Sequence, residues 1–149
     1  MSKTSPVLAA SLREFLSLSR ILTGVEDLDA DLGRQYLDRL ASTPFQPFVH
    51  EVLDRFRKFK PEHSIVDRVK QEILADDALR PALCQIVLLW FTSAMWDNAA
   101  FPPALRYGTQ EEYFSGLAWA LVGAHPPGLS GGYFGHWRYS PENEPKELR

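Results

Sequence analysis

The chain predicts an all-α fold: a compact bundle of five to six helices, finished by an irregular C-terminal segment rich in aromatics, glycine and proline. Three observations carry this. Apolar residues recur at three- and four-residue intervals through the body of the chain, the spacing that stacks side chains on one helix face. No run alternates between turn signals as a half-buried strand would. Helix breakers crowd the last third: seven of nine glycines lie at or after Gly108 and six of eleven prolines at or after Pro102. The expected organisation is one domain over residues 1–149, a helical body over 5–122 followed by an extended segment over 123–149.

The elements follow in order. Ser5-Pro6 is a start signal, with Ser as N-cap and Pro in the first turn. Leu8, Leu12, Phe15, Leu16, Ser19 and Leu22 then keep helical spacing until Gly24. Asp27 or Asp29 caps a second helix whose inner face is Leu28, Leu32, Tyr36, Leu37 and Leu40. Pro44 and Pro47 break the chain before a third stripe, Phe48, Val49, Val52, Leu53, Phe56 and Phe59. Pro61 separates a fourth, with Ile65, Val66, Val69, Ile73 and Leu74. A fifth starts near Asp76 or Asp77, carries Pro81 in its first turn and runs to about Asp97; apolar almost all round, it predicts the most buried helix. Thr109-Gln-Glu-Glu112 is a capping box that opens a sixth, with Tyr113, Leu117, Ala120 and Leu121 inward.

From Gly123 the chain is irregular yet aromatic, reading Gly-Ala-His-Pro-Pro-Gly-Leu-Ser-Gly-Gly-Tyr-Phe-Gly-His-Trp-Arg-Tyr-Ser-Pro to Pro141. A segment in which glycine and proline forbid regular structure cannot bury its own rings. Tyr133, Phe134 and Trp137 therefore either fold back to finish the core, or lie against another subunit with Trp119, His136 and Arg138, the Trp, Tyr and Arg types that interfaces favour.

Composition excludes several function classes. A net charge of −3 supplies no basic footprint for nucleic acid. The cluster Arg55-Phe-Arg-Lys-Phe-Lys60 reads as a solvated helix end. Cys84, the one cysteine, falls in the apolar run Ala82 to Met95, so a buried, inert thiol is expected. The opening Met-Ser-Lys-Thr-Ser-Pro lacks a twin arginine, and no apolar stretch with a small-residue cleavage site follows. Ala82 to Trp96 is interrupted by Gln85, Thr92 and Ser93 and is shorter than the roughly 20 residues a bilayer span needs. No membrane span and no export address are expected.

The sequence offers no catalytic constellation. His50 and His63 read as surface helix residues, and His125 and His136 lie in the irregular segment; no pair has metal-ligand spacing. No Gly-x-Ser-x-Gly elbow occurs. Gly128-Leu-Ser-Gly-Gly132 lacks the lysine and the following helix of a phosphate cradle, and no dinucleotide fingerprint is present. Asp76-Asp77 and Glu111-Glu112 stand where helix dipoles explain them. The residues thus predict no catalytic, cofactor-binding or metal-binding site.

Three segments together resemble a known family. They are Phe15-Leu-Ser-Leu-Ser-Arg-Ile-Leu-Thr-Gly24 with Leu28 and Tyr36-Leu37, then Ile86-Val-Leu-Leu-Trp-Phe91, and then Tyr113 through Trp119 leading to Gly132-Tyr-Phe-Gly-His-Trp137. In this order they resemble the small subunit of membrane-bound FAD-dependent sorbitol, fructose and glucose dehydrogenases. The resemblance implies a non-catalytic, chaperone-like partner with no cofactor of its own. FAD would sit in a large subunit of the glucose–methanol–choline type, which oxidises an alcohol or sugar and passes electrons to a cytochrome c subunit or a quinone. The small subunit would help that flavoprotein fold, load FAD and stay stable.

The chain departs from the family pattern in two places. The twin-arginine signal that such subunits commonly bring is missing, which leaves a periplasmic or membrane-associated location through the partner beside a cytoplasmic one. The familiar Trp-aromatic-x-Gly after the apolar helix reads Trp90-Phe-Thr-Ser93, expected to be a local packing change. Two rivals stand beside the subunit reading: a stand-alone small helical enzyme using His125 or His136, and a generic helical adaptor.

Overall fold

The computed structural model describes residues 6–59, 64–97, 102–124 and 126, and side chains from Ser11 on. They belong to two compact units, Met1–Val87 and Leu88–Arg149.

The first unit is helical: α1 Pro6–Thr23, α2 Ala30–Ala41, α3 Gln46–Arg57, α4 Ile65–Arg68 running on into a π-helix Val69–Leu74, and the start of α5 Arg80–Thr92. Phe15, Leu16 and Ser19 of the expected α1 stripe are buried, together with Leu18, which the stripe did not include, while Leu12 and Leu22 are half-buried. Gly24 ends α1 at φ +72°, its N–H donating to the Arg20 carbonyl at 2.8 Å. Asp29 caps α2, its carboxylate accepting from the Asp31 and Leu32 N–H groups at 2.8 Å each. Tyr36, Leu37 and Leu40 are buried from α2, and Val49, Val52 and Leu53 from α3. Pro47 does not break the chain but stands in the first turn of α3, where its missing N–H is no loss.

The π-helix is visible in the five-residue step of the Ala75 N–H to the Lys70 carbonyl, 3.1 Å. Two arginines occupy carbonyls at its end: Arg55 donates to Glu72 O at 3.2 Å and Arg80 to Leu74 O at 3.1 Å. Cations at a helix C-terminus are favoured by the dipole. Val69 and Ile73 are buried, but Val66 and Leu74, expected on the same stripe, are exposed. The wider turn moves Leu74 off the face that Val69 and Ile73 share, and the four-residue α4 buries nothing.

α5 is shorter than expected. It begins at Arg80, after a turn in which the Asp76 carboxylate accepts from the Ala78 N–H at 2.9 Å, and ends at Thr92. It is also not buried all round. Ala82, Leu83, Gln85, Ile86, Leu89 and Trp90 are buried, while Arg80, Pro81 and Cys84 are exposed. Cys84 therefore corrects the expectation of a buried thiol: helical periodicity places it one turn on from Arg80, on the solvated edge.

The second unit holds the end of α5, a hairpin of β1 Ala94–Asp97 and β2 Ala104–Tyr107, then α6 Gln110–Phe114 and α7 Leu117–Val122. The hairpin corrects both the sheet-free expectation and the extension of α5 to Asp97. Its strands pair antiparallel, Ala94 opposite Tyr107 and Trp96 opposite Leu105, and the Gly108 N–H closes its base on the Ser93 carbonyl at 2.8 Å. The cause is Ser93, which donates the last helical bond to Leu89 O at 2.8 Å and then turns the chain at φ 55°. Four-residue strands are too short to display alternation. The expected sixth helix is likewise two helices, because the chain leaves helical geometry at Gly116, φ −60° and ψ 133°.

Candidate functional site

Among the described residues no group of three or more His, Cys, Asp and Glu side chains could hold a metal ion. His50 is exposed on α3, and no described hydrogen bond joins it to a carboxylate or hydroxyl; His63, His125 and His136 lie outside the described residues. No described helix is long and apolar enough to cross a membrane.

Charge in the first unit is spent on structure. Arg55 bonds the Glu51 carboxylate at 2.7 Å and the Asp76 carboxylate at 2.9 Å, and Arg68 bonds Glu72 at 2.7 Å while stacking 4.1 Å over the Phe59 ring. The hydrogen bonds that Arg55 donates to Glu51 and then to Asp76 raise its pKa above the ordinary value. The Arg68 hydrogen bond holds Glu72 below the usual carboxylate range. Asp76 is held low first by the Ala78 N–H and then by Arg55. These groups lie at the solvent boundary and tie α3 to the π-helix. A cavity of about 140 Å³ opens among α1, α2 and α3 over Leu37, Val49 and Leu53, with Asp38, His50 and Arg57 among its lining. Arg57 is held there by Glu14 at 3.3 Å and Asp54 at 3.1 Å.

The second unit differs in kind. The capping box forms as expected: the Thr109 hydroxyl accepts from the Glu112 N–H at 3.2 Å, and the Glu112 carboxylate from the Thr109 N–H at 3.2 Å. α6 so fixed carries Tyr113, whose ring meets Tyr107 of β2 at 6.3 Å and Trp119 of α7 at 5.2 Å, both edge-on. Trp119 also donates its indole N–H to the Tyr113 carbonyl at 2.8 Å. A row of three rings thus joins hairpin, α6 and α7. Even so, the unit leaves apolar surface in water: Trp96 is 44% exposed, Tyr107, at the end of the row, 61%, Leu121 75% and Val122 67%. No residue of α7 is buried, although every one of them is apolar.

Of the interface residues expected from sequence, Trp119 is half-buried and held by Tyr113, while Tyr133, Phe134, His136, Trp137 and Arg138 lie outside the described residues. Leu121, expected inward, points into solvent. Leu121 and Val122 carry no sequence mark of exposure because Leu117-Ala-Trp-Ala-Leu-Val122 has no polar face to show which side is wet. The usable signal was that absence: a six-residue helix cannot surround itself with core.

Comparison with known proteins adds one match. A family model described as membrane-bound FAD-containing D-sorbitol dehydrogenase covers residues 2–120. A search of curated proteins gives no match.

Proposed function

Because the chain belongs to the membrane-bound FAD-containing D-sorbitol dehydrogenase family, we propose that it is a non-catalytic small subunit of an FAD-dependent dehydrogenase oxidising an alcohol or sugar CH–OH group. The family match over residues 2–120 carries this reading. The sequence adds support, since it offers no dinucleotide fingerprint and no nucleophile–base pair, so FAD is assigned to a large glucose–methanol–choline-type partner subunit. In this reading the chain assists folding, FAD loading and stability of that flavoprotein. A cytochrome c subunit completes electron transfer, and membrane association comes through the partners.

The interface residues assigned to this role are Trp119, Tyr133, Phe134, His136, Trp137 and Arg138. An obligate contact of this kind buries on the order of 2,000 Å² or more. A buried tryptophan anchor contributes about 2 kcal/mol or more, so Trp137→Ala weakens association by at least that amount.

The test is co-expression with the flavoprotein, followed by the flavin spectrum of each purified species. The chain alone is expected to show no flavin bands and no turnover, and its omission is expected to leave the large subunit without FAD. Deleting Gly128 to Arg149 should have the same effect while the helical circular dichroism of the small subunit persists. Stoichiometric FAD in the isolated chain, turnover by it, or normal maturation of the flavoprotein without it would overturn the reading. Unfolding of the truncated chain would assign the C-terminal segment to this protein's own core.

A further inference from the structure

We propose that the cavity among α1, α2 and α3 binds a small apolar amine, a ligand with a benzene-sized or short alkyl body and an ammonium head. The site goes beyond the subunit function and does not depend on it. Its floor is dry, since Leu37, Val49 and Leu53 are all buried. The space exists because Ser11 of α1 and Ala41 of α2 line it with side chains too short to fill it. Its volume of about 140 Å³ is close to the ~150 Å³ that encloses one benzene ring. That is well below the ~300 Å³ at which drug-sized ligands begin to fit. The cavity therefore takes one apolar group and excludes a nucleotide or an oligosaccharide.

Charge selects the head group. Asp38 and Asp54 stand on the lining with Arg57, and Arg57 is already shared between Asp54 at 3.1 Å and Glu14 at 3.3 Å. Glu14 follows Ser11 by one turn on the same face of α1, so it adjoins the cavity as well. Three carboxylates thus meet one guanidinium, which two of them occupy. The Asp38 carboxylate has no partner among the described residues, and the buried Oε2 of Glu14 accepts no hydrogen bond among them. An ammonium supplies the charge and the N–H donors that these oxygens lack. A carboxylate or phosphate ligand meets the same groups as repulsion. Free amines carry this chemistry, and so does a lysine side chain of a bound protein.

The test is an amide NMR titration of the isotope-labelled full chain at about pH 8, above the ordinary histidine range, so that His50 of the lining adds no charge. The probes are phenethylamine, phenethyl alcohol, phenylacetate and N-acetyl-lysine methylamide. Phenethylamine should give saturable shifts centred on Leu37, Ala41, Val49 and Leu53, with the millimolar Kd of a fragment-sized ligand. The alcohol and the carboxylate should bind about fivefold weaker or less tightly still. Asp38→Asn and Glu14→Gln should each weaken phenethylamine about two- to fivefold, the range of one partly exposed ion pair. Ala41→Phe, at an exposed position, should fill the cavity and abolish the shifts while leaving the spectrum away from it unchanged. Equal binding of the three phenyl compounds overturns the choice of an amine. Shifts that scatter or never saturate, or full binding by Ala41→Phe, overturn the cavity as a site. Tighter binding of the lysine compound assigns the occupant to a bound protein's lysine, and tighter binding of phenethylamine to a free amine; either upholds the proposal. None of these results bears on the subunit function.

Discussion

Ser93 stands at φ 55°, in the left-handed region that a residue with a Cβ enters at a cost. The resemblance implied a glycine where this chain has Ser93, and the positive φ makes that difference one of backbone conformation. Two substitutions made side by side isolate the backbone effect, because Ser93→Ala and Ser93→Gly both remove the hydroxyl and differ only in the Cβ. Within a helix alanine would be favoured by about 1 kcal/mol. Here the left-handed conformation costs alanine about 1–2 kcal/mol. Glycine loses about 0.4–1 kcal/mol through the greater freedom of its unfolded chain. The balance leaves Ser93→Gly ahead of Ser93→Ala by about 0.5–1 kcal/mol, an order opposite to the helical one. The assay is urea unfolding followed by tryptophan fluorescence. All four tryptophans, Trp90, Trp96, Trp119 and Trp137, lie in the unit that begins at Leu88, so the signal reports that unit. With a slope of about 1–2 kcal/mol per M, the glycine midpoint should lie roughly 0.5 M above the alanine midpoint. Equal midpoints, or a higher one for alanine, would show that position 93 is not left-handed and that the helix continues toward Asp97.

Gly116→Ala should destabilise the same unit by about 1–3 kcal/mol, since a Cβ there would stand 2.7 Å from the Phe91 carbonyl oxygen, a backbone atom that cannot rotate away; a raised fluorescence midpoint would contradict the close approach. Asp76 is held low in the folded state, so its contribution is present above the ordinary aspartate range and is lost as pH falls through the depressed folded value. Asp76→Asn should accordingly flatten the acid limb of a stability–pH curve followed by circular dichroism, and an unchanged slope would assign acid unfolding to other carboxylates. Cys84 is exposed, so a thiol reagent should label the native protein at a rate within a few-fold of the urea-unfolded one. Labelling that waits for denaturant would mean another surface covers this edge of α5.

The legible part of this chain is the part whose signals are local. α1 to α3 follow from apolar stripes at helical spacing, from Gly24 as a stop and from Asp29 as a cap, each of which acts within one or two turns. The Thr109–Glu112 box was readable for the same reason. Where a helix ends because one residue turns left-handed, as at Ser93, nothing in the neighbouring residues says so, and the apolar run through Trp96 reads as more helix. The hairpin was hidden twice, by strands of four residues and by the helical reading of its first strand. Leu74 leaves its expected face through the wider turn of the π-helix, and Cys84 fails for another reason. In a run that is apolar on every side, periodicity fixes which residues share a face and leaves open which face is wet.

That last limit is also why the exposed apolar surface of α7 lies where sequence reasoning had least to say. An amphipathic helix declares its dry side by its polar one, and α7 has no polar side. What orients it is Trp119, whose indole N–H reaches the Tyr113 carbonyl and whose ring packs on the Tyr113 ring. At about 100° per residue, Leu121 then falls on the far side of the helix from Trp119, away from the ring row, while Val122 stays within about 60° of it. Leu121 is 75% exposed as a result, and Val122, the last residue of the helix, is 67% exposed. The tryptophan that the sequence marks as an interface anchor thus spends its polar end inside the unit, and two plain aliphatic neighbours are left facing out. Two roles at α7 are thus distinct: Trp119 holds the helix, and Leu121 and Val122 form its exposed surface. Trp119→Phe separates the two roles, keeping most of the ring while removing the bond to Tyr113. It should loosen α7, read as faster amide hydrogen exchange over Leu117–Val122, whereas Leu121→Glu at an exposed position should leave that exchange within a few-fold of wild type.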